Sequence, residues 1–159
     1  MTIEVMFTNE EIAKLYREKG QGTSLSAGFD LRVEAVETPY ATSSGLALTN
    51  DDDVLISIRT GIRLNMTTYP KPIFGLVVPR SSLGKQGLVL CNTVGVIDQD
   101  YQDEIRLYVR NTQRRHIMLE EGDRVAQLII QEYVPPVFQE VEQFSSTTGR
   151  GGFGSTGRK

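Results

Sequence analysis

A period of two between apolar and polar residues constrains this chain more than any other feature. Ile105, Leu107 and Val109 alternate with Arg106, Tyr108 and Arg110. A helix would scatter these residues around its axis, whereas a strand collects them on one face. Val54, Ile56 and Ile58 alternate in the same way with Leu55, Ser57 and Arg59. Gly61 interrupts, and Ile62, Leu64 and Met66 then resume against Arg63 and Asn65. Val125 to Ile130 is nearly continuously apolar, as expected of a strand covered on both faces. Turn residues separate the runs at Asn50–Asp53, Pro70–Pro72, Gly84–Gly87 and Gly122-Asp123. Many short strands at this spacing predict an all-β fold, a sandwich or jelly roll.

One helix is expected near residues 9–19. Thr8 and Glu11 have the spacing of a capping box, Ile12, Leu15 and Tyr16 share one helical face, and Gly20 closes the segment. Pro135-Pro136 ends the last core strand, after which Val137, Phe138, Val141 and Phe144 are expected to pack once more. From Ser145 onward the chain is rich in Gly, Ser and Thr, and Phe153 is its one apolar residue. The reading is therefore a single domain over 1–144 and a flexible C-terminal tail over 145–159. A core this small leaves little surplus stability, so core surface shared in an oligomer would help.

Several function classes are disfavoured. A formal net charge of −3 argues against general nucleic-acid binding, yet a few local Arg residues can still handle one nucleotide. Cys91 is the only cysteine, so no intrachain disulfide is possible, and its apolar neighbours Leu88, Val89 and Leu90 predict a buried, inert thiol. His116, the only histidine, is expected in a turn without zinc partners, and Asp51-Asp52-Asp53 in a solvated turn rather than a metal site. No run approaches the roughly 18 apolar residues of a membrane span, and Met1–Val5 does not resemble a leader. A soluble, cytoplasmic protein is expected.

Three segments carry concentrated polarity. Asn92-Thr93-Val94-Gly95-Val96-Ile97-Asp98-Gln99-Asp100-Tyr101 reads as a strand entering a turn with two carboxylates and a phenol. Asn92 offers a donor and an acceptor side by side, which suits a pyrimidine edge. Asp98 could orient or deprotonate a water, and Tyr101 offers a flat face for a sugar. The plainer alternative is a hairpin whose Asp residues only shape the turn. Pro79-Arg80-Ser81-Ser82-Leu83-Gly84 combines a guanidinium, two hydroxyls and backbone N–H groups, a phosphate cradle in outline. In Arg150 to Gly157, glycines bring backbone close to a ligand, the hydroxyls suit phosphate oxygens, and Phe153 can stack on a base. Such a tail, ordered over a nucleotide, would be a lid.

Together these segments resemble the trimeric-type dUTPases, the family that hydrolyses dUTP to dUMP and pyrophosphate. Five motifs occur in the family's order: Ser26–Leu31, Pro79–Gly84, Asn92–Tyr101, Gly122–Leu128 and Gly151–Gly157. The resemblance implies a jelly-roll subunit in a homotrimer whose active sites are assembled from all three chains. It implies Asp98 as the general base, with dUTP as substrate, Tyr101 under the deoxyribose, and Asn92 reading uracil with the hairpin that runs through Val96 and Ile97 to Arg106. Arg80, Ser81 and Ser82 would hold phosphates, with Gln127 in the phosphate region. Mg2+ would be held mainly by the substrate phosphates, and Asp30 would lie just outside its ligands. Phe153 would stack over uracil as the tail closes, with Gly154, Ser155 and Thr156 on the terminal phosphates. Such an enzyme would limit uracil in DNA and supply dUMP for thymidylate synthesis.

The physical chemistry agrees with those roles, because a triphosphate of about four negative charges must be neutralised before water attacks in line. Three positions depart from the family pattern. Thr148 stands where the fifth motif usually has Arg, leaving Arg150 as the nearest candidate. Asp103-Glu104 follows Tyr101-Gln102 where Gly is usual, and Ser82 stands where Gly is common. Pro79–Leu83 is also similar to the related dCTP deaminases, which keeps a deaminase or bifunctional enzyme as an alternative. A nucleotide-gated regulatory protein with its own protein partner is the other, motivated by Gln102-Asp103-Glu104 and the longer Thr38–Asp53 segment.

Overall fold

The period-two segments fold as strands. The computed structural model describes residues 2–19, 22–37, 46–48, 55–113 and 117–149. Its elements in chain order are β1 (Glu4–Phe7), α1 (Glu10–Lys19), β2 (Phe29–Arg32), β3 (Ala35–Glu37), β4 (Leu46–Leu48), β5 (Ile56–Asn65), β6 (Ile73–Pro79), α2 (Ser81–Gln86), β7 (Leu88–Leu90), β8 (Gly95–Ile97), β9 (Glu104–Asn111), β10 (Ile117–Leu119) and β11 (Arg124–Glu132). One antiparallel sheet has the order β1-β5-β9-β7 with β3 also on β5, a second has the order β2-β11-β6-β8, and β4 pairs with β10. Ile58, Ile105, Leu107 and Val109 from the first sheet and Leu31, Val77, Val125 and Leu128 from the second share one buried core. This is an all-β jelly-roll sandwich.

Gly61 explains the break in the β5 pattern. Its φ is +68°, and a Cβ there would sit 3.0 Å from the Ile12 side chain of α1. The register against β9 shifts between Arg59 and Arg63, so the strand bulges and continues. Helix α1 docks over this bulge. Its cap differs from expectation: Asn9 Oδ1 accepts the Ile12 N–H at 2.9 Å, while the Thr8 hydroxyl donates to Glu34 and the Thr8 N–H donates to Gly61 O at 3.0 Å. Thr8 is engaged by two neighbouring segments, so the cap falls to the next residue. Tyr16 ties the helix to both sheets: its hydroxyl donates to Thr60 O and accepts the Arg32 N–H, each at 2.9 Å.

Four further expectations are corrected. The described residues hold two short helices rather than one, because Ser81–Gln86 forms a helical turn and a half, closed by Gly87 at φ +85°. Cys91 is exposed, since β7 ends at Leu90 and the chain turns outward there. Val137, Phe138 and Phe144 are 95%, 91% and 86% exposed and Val141 is half exposed, so this chain alone gives the segment little packing. The segment Asn92–Arg106 is no simple two-stranded hairpin: β8 leaves β9 and pairs with β6 of the other sheet. His116, Asp51–Asp53 and most of Thr38–Asp53 lie outside the described residues. Among the described residues no helix is long and apolar enough to cross a membrane.

Candidate active site

Three adjacent strands of the second sheet build a cationic corner. Gln127 on β11 lies opposite Asp30 on β2, and Arg124 lies opposite Arg32. β6 runs along the other side of β11 and delivers Arg80, whose N–H donates to Val125 O at 3.3 Å. Asp30 is 2% exposed. A buried carboxylate is tolerated only when paired. Arg124 Nη1 donates to its Oδ2 at 3.1 Å, and Arg80 Nε lies 3.2 Å from Oδ1. That second contact lacks hydrogen-bond alignment, so Oδ1 is buried with a lone pair to spare. Arg32 adds a third guanidinium, donating to Gly122 O at 2.6 Å. Burial lowers its pKa, the Arg124 and Arg80 charges add to that, and Asp30 opposes them. Three positive groups around one carboxylate leave a local surplus of positive charge, suited to a polyanion.

Close contact sets the rest of this corner. A Cβ on Gly28 would stand 2.9 Å from Gln127 Cβ, so only glycine lets the residue 26–28 segment lie against Gln127. Ser81 and Ser82 open α2 beside Arg80, and both are exposed.

The other polar cluster is the turn after β8. Gly75 allows β8 to approach β6, because a Cβ there would be 3.1 Å from Ile97 Cβ. Asp98 is exposed, and its carbonyl accepts the Tyr101 N–H at 3.1 Å. Val96, Asp98, Gln99 and Asp100 line a cavity of about 870 Å³ with Phe74 and Tyr133. The Tyr101 phenol donates to Glu104 O at 3.0 Å; burial raises its pKa, with Asp103 adding to the effect, so it stays a neutral donor. Asn92 is exposed in a turn where Thr93 adopts φ +63°. For a β-branched residue that conformation is strained by about 1–3 kcal/mol, a feature that clusters at functional sites. Arg106 is committed to carboxylates, with Nη1 2.8 Å from Glu37 and Nε 3.7 Å from Glu104.

The two clusters lie at opposite ends of β6. Asp98 follows Ile97, which pairs with Gly75, whereas Arg80 follows Pro79. Six residues of strand at ~3.3 Å each separate Phe74 from Arg80 by roughly 20 Å. Arg150, Phe153, Gly154, Ser155 and Thr156 lie outside the described residues.

The family model for dUTPase matches residues 16–157. The chain belongs to the dUTPase family. It is 34% identical, over the full length of both proteins, to a deoxyuridine 5'-triphosphate nucleotidohydrolase of Acinetobacter baylyi. Among solved structures, a point mutant of the Staphylococcus bacteriophage 80alpha dUTPase with dUpNHpp is 21% identical, with a TM-score of 0.70 over 98% of each chain. A dUTPase mutant from phage phi11 of S. aureus, described for its coordination of a structural Mg(II) ion, is 20% identical with the same TM-score, covering 92% of this chain and all of that one. These likenesses show the fold of the dUTPases.

Sequence reasoning missed the roles of three residues, among them Glu104, which is buried rather than displayed to a partner. Arg124 was visible within the fourth motif, but only the β2–β11 register reveals that it grips Asp30. Glu104 receives the Gly61 N–H at 2.9 Å and the Arg59 Nε–H at 3.0 Å, and no local signal announces that. Gln99 sits inside the third motif, and its partners come from a distant loop.

Proposed function

We propose that this chain hydrolyses dUTP to dUMP and pyrophosphate, at sites that copies of the chain share in a homotrimer. The observation that carries the reading is the separation of an exposed carboxylate, Asp98, from a cationic corner at the far end of β6. A nucleotide whose phosphates sit among Arg80, Ser81, Ser82 and Gln127 lies too far from the Asp98 of the same chain. Asp98 and Tyr101 of one copy would then meet the cationic corner of another, and the exposed apolar segment from Val134 to Phe144 is available for burial between copies.

In this mechanism Asp98 takes a proton from water as its oxygen bonds to the α-phosphorus in line. The bond from that phosphorus to the bridging oxygen breaks, and pyrophosphate leaves. Arg80 and Arg124 offset the charge that develops on the leaving group. Asn92 reads the uracil edge beside Val96 and Ile97, and Tyr101 lies against the deoxyribose. Arg150 and the Phe153–Thr156 tail close over the nucleotide and exclude bulk solvent, leaving the attacking water inside. Bound to the substrate phosphates, Mg2+ would supply further charge neutralisation. Asp30, whose Oδ1 keeps an unused lone pair, would stand beside that ion rather than cage it, and the described residues form no group of three or more His, Cys, Asp or Glu that could hold a metal.

The test measures pyrophosphate release from dUTP, dCTP, dTTP and UTP, with Mg2+ and with chelator, for the native chain and Asp98→Asn. Release from dUTP alone, lost with chelator, is expected. Asp98→Asn should keep nucleotide binding and lose at least about 100-fold in turnover, the usual contribution of a general base. Unchanged turnover would remove Asp98 from this role.

A further inference from the structure

Gln99 stands between two exposed acids, Asp98 and Asp100, yet its own side chain turns inward. It reaches the loop that joins β5 to β6. Its Nε2 lies 3.1 Å from Met66 O, 3.1 Å from Tyr69 O and 3.2 Å from Lys71 O. Two hydrogens are thus shared among three carbonyls. Its Oε1 accepts the Ile73 N–H at 3.4 Å, at the first residue of β6. One amide therefore gathers four backbone groups, of which Met66 O also accepts a backbone N–H.

The loop it grips is itself fastened. The Tyr69 N–H donates to Met66 O at 3.1 Å. The Tyr69 phenol donates to Glu132 at 2.8 Å, and Lys71 Nζ lies 3.0 Å from the same carboxylate at the end of β11. Asp98 is thus held from both sides. On one side stands the ladder that pairs Ile97 with Gly75. On the other stands Gln99, joined through the loop to the end of β11. Besides Gln99 and that ladder, the turn is held by the Tyr101 N–H to Asp98 O bond, the tether from Tyr101 to Glu104, and farther along by Gln102, whose carbonyl accepts from Arg63 and whose amide donates to Asn65. Gln99 is the side chain next to Asp98 that ties the turn to the β5–β6 loop.

We propose that Gln99 is a positioning residue that aims the Asp98 carboxylate, a role that rests on reading Asp98 as the general base. A base must lie within hydrogen-bond reach of the water it deprotonates, and a misplacement of about 1 Å can cost about 100-fold in rate. Glutamine suits the task because it presents donors to carbonyls without charge. Glutamate in its place would set a carboxylate against three carbonyl oxygens, and methionine fills the space without a donor.

The experiment compares Q99M, Q99E, D98N and the double variant D98N/Q99M in the full-length chain. It measures kcat and KM for dUTP, the Kd of dUpNHpp and the melting temperature. Q99M and Q99E should lose about 30–100-fold in kcat with KM and Kd held within about threefold, because binding groups are untouched and only aim is lost. A merely structural role would lower the melting temperature and leave kcat in the folded enzyme unchanged. Q99M should change the residual rate of D98N by less than about twofold, since the group it aims is already gone. Three results overturn the proposal. One is a native kcat in both Q99 variants while D98N is inactive. The second is an equal slowing by Q99M in the native and D98N backgrounds. The third is native turnover in D98N, which removes the reading of Asp98 and this role with it.

Discussion

Tyr16→Phe isolates one hydroxyl at the junction of α1 and both sheets. The ring is 3% exposed and stacks between Phe7 and Phe29 at centroid distances of 5.4 and 5.5 Å, and phenylalanine keeps those contacts. What disappears is the donor to Thr60 O and the acceptor for the Arg32 N–H. Two buried backbone groups are left without that partner at about 1–3 kcal/mol each, so the expected loss after some relaxation is about 2–4 kcal/mol. For a chain of this size that lowers the melting temperature by roughly 5–15 °C. The pH dependence gives a second signature. Burial holds the phenol above its usual value of 10.0, with smaller opposing contributions from its hydrogen bonds. In the unfolded chain the same phenol ionises near 10, so above that pH the folded state keeps a proton the unfolded state has released. Native stability therefore falls as pH rises through 10, whereas the variant has no such proton, and the gap between them narrows. Urea unfolding at about pH 8 and about pH 11, at fixed protomer concentration, reads both effects. A loss below about 1 kcal/mol at the lower pH, or a gap that stays constant, would refute the reasoning.

Two other substitutions probe the cationic corner. Gly28→Ala should cost about 1–3 kcal/mol by overpacking against Gln127 and should weaken dUpNHpp binding as one of the two shifts; calorimetry that finds native affinity would show that the 26–28 segment moves freely. Asp30→Asn removes the counter-charge of Arg32, Arg80 and Arg124. The cost should be about 1–3 kcal/mol, less than for a fully buried pair, because the Arg80 and Arg124 side chains are 25% and 40% exposed. Added pyrophosphate should raise the melting temperature of this variant more than that of the native chain, and equal shifts would show that Asp30 is not the counter-ion of the cluster.

The parts of this fold that the sequence made legible are those where one physical cause dominates. The alternation of Ile105, Leu107 and Val109 marks a half-buried strand, and that is what β9 is. Gly61 interrupts a pattern because it supplies a positive φ that the bulge requires. Local reasoning failed where partners compete. Thr8 has the right chemistry for a cap, but Glu34 and Gly61 claim it. Cys91 follows three apolar residues, yet a strand end decides its exposure. The motifs pointed to Arg80 and Asp98 as site residues, but their separation depends on β8 crossing to the second sheet, a choice set by tertiary pairing. The Arg124–Asp30 contact and the Gln99 anchorage likewise join residues 94 and about 30 positions apart in the chain.

The length of β6 has a genetic consequence. A copy that has lost its base still owns a sound phosphate corner, and a copy that has lost Arg80 still owns a sound base. On the shared-site reading, two alleles damaged at opposite ends of this strand would complement each other in mixed assemblies, although each is inactive alone. Two alleles damaged at the same end would not. The unit on which selection acts is then the pairing of unlike strand ends from different copies, and a single polypeptide carries only half of the trait.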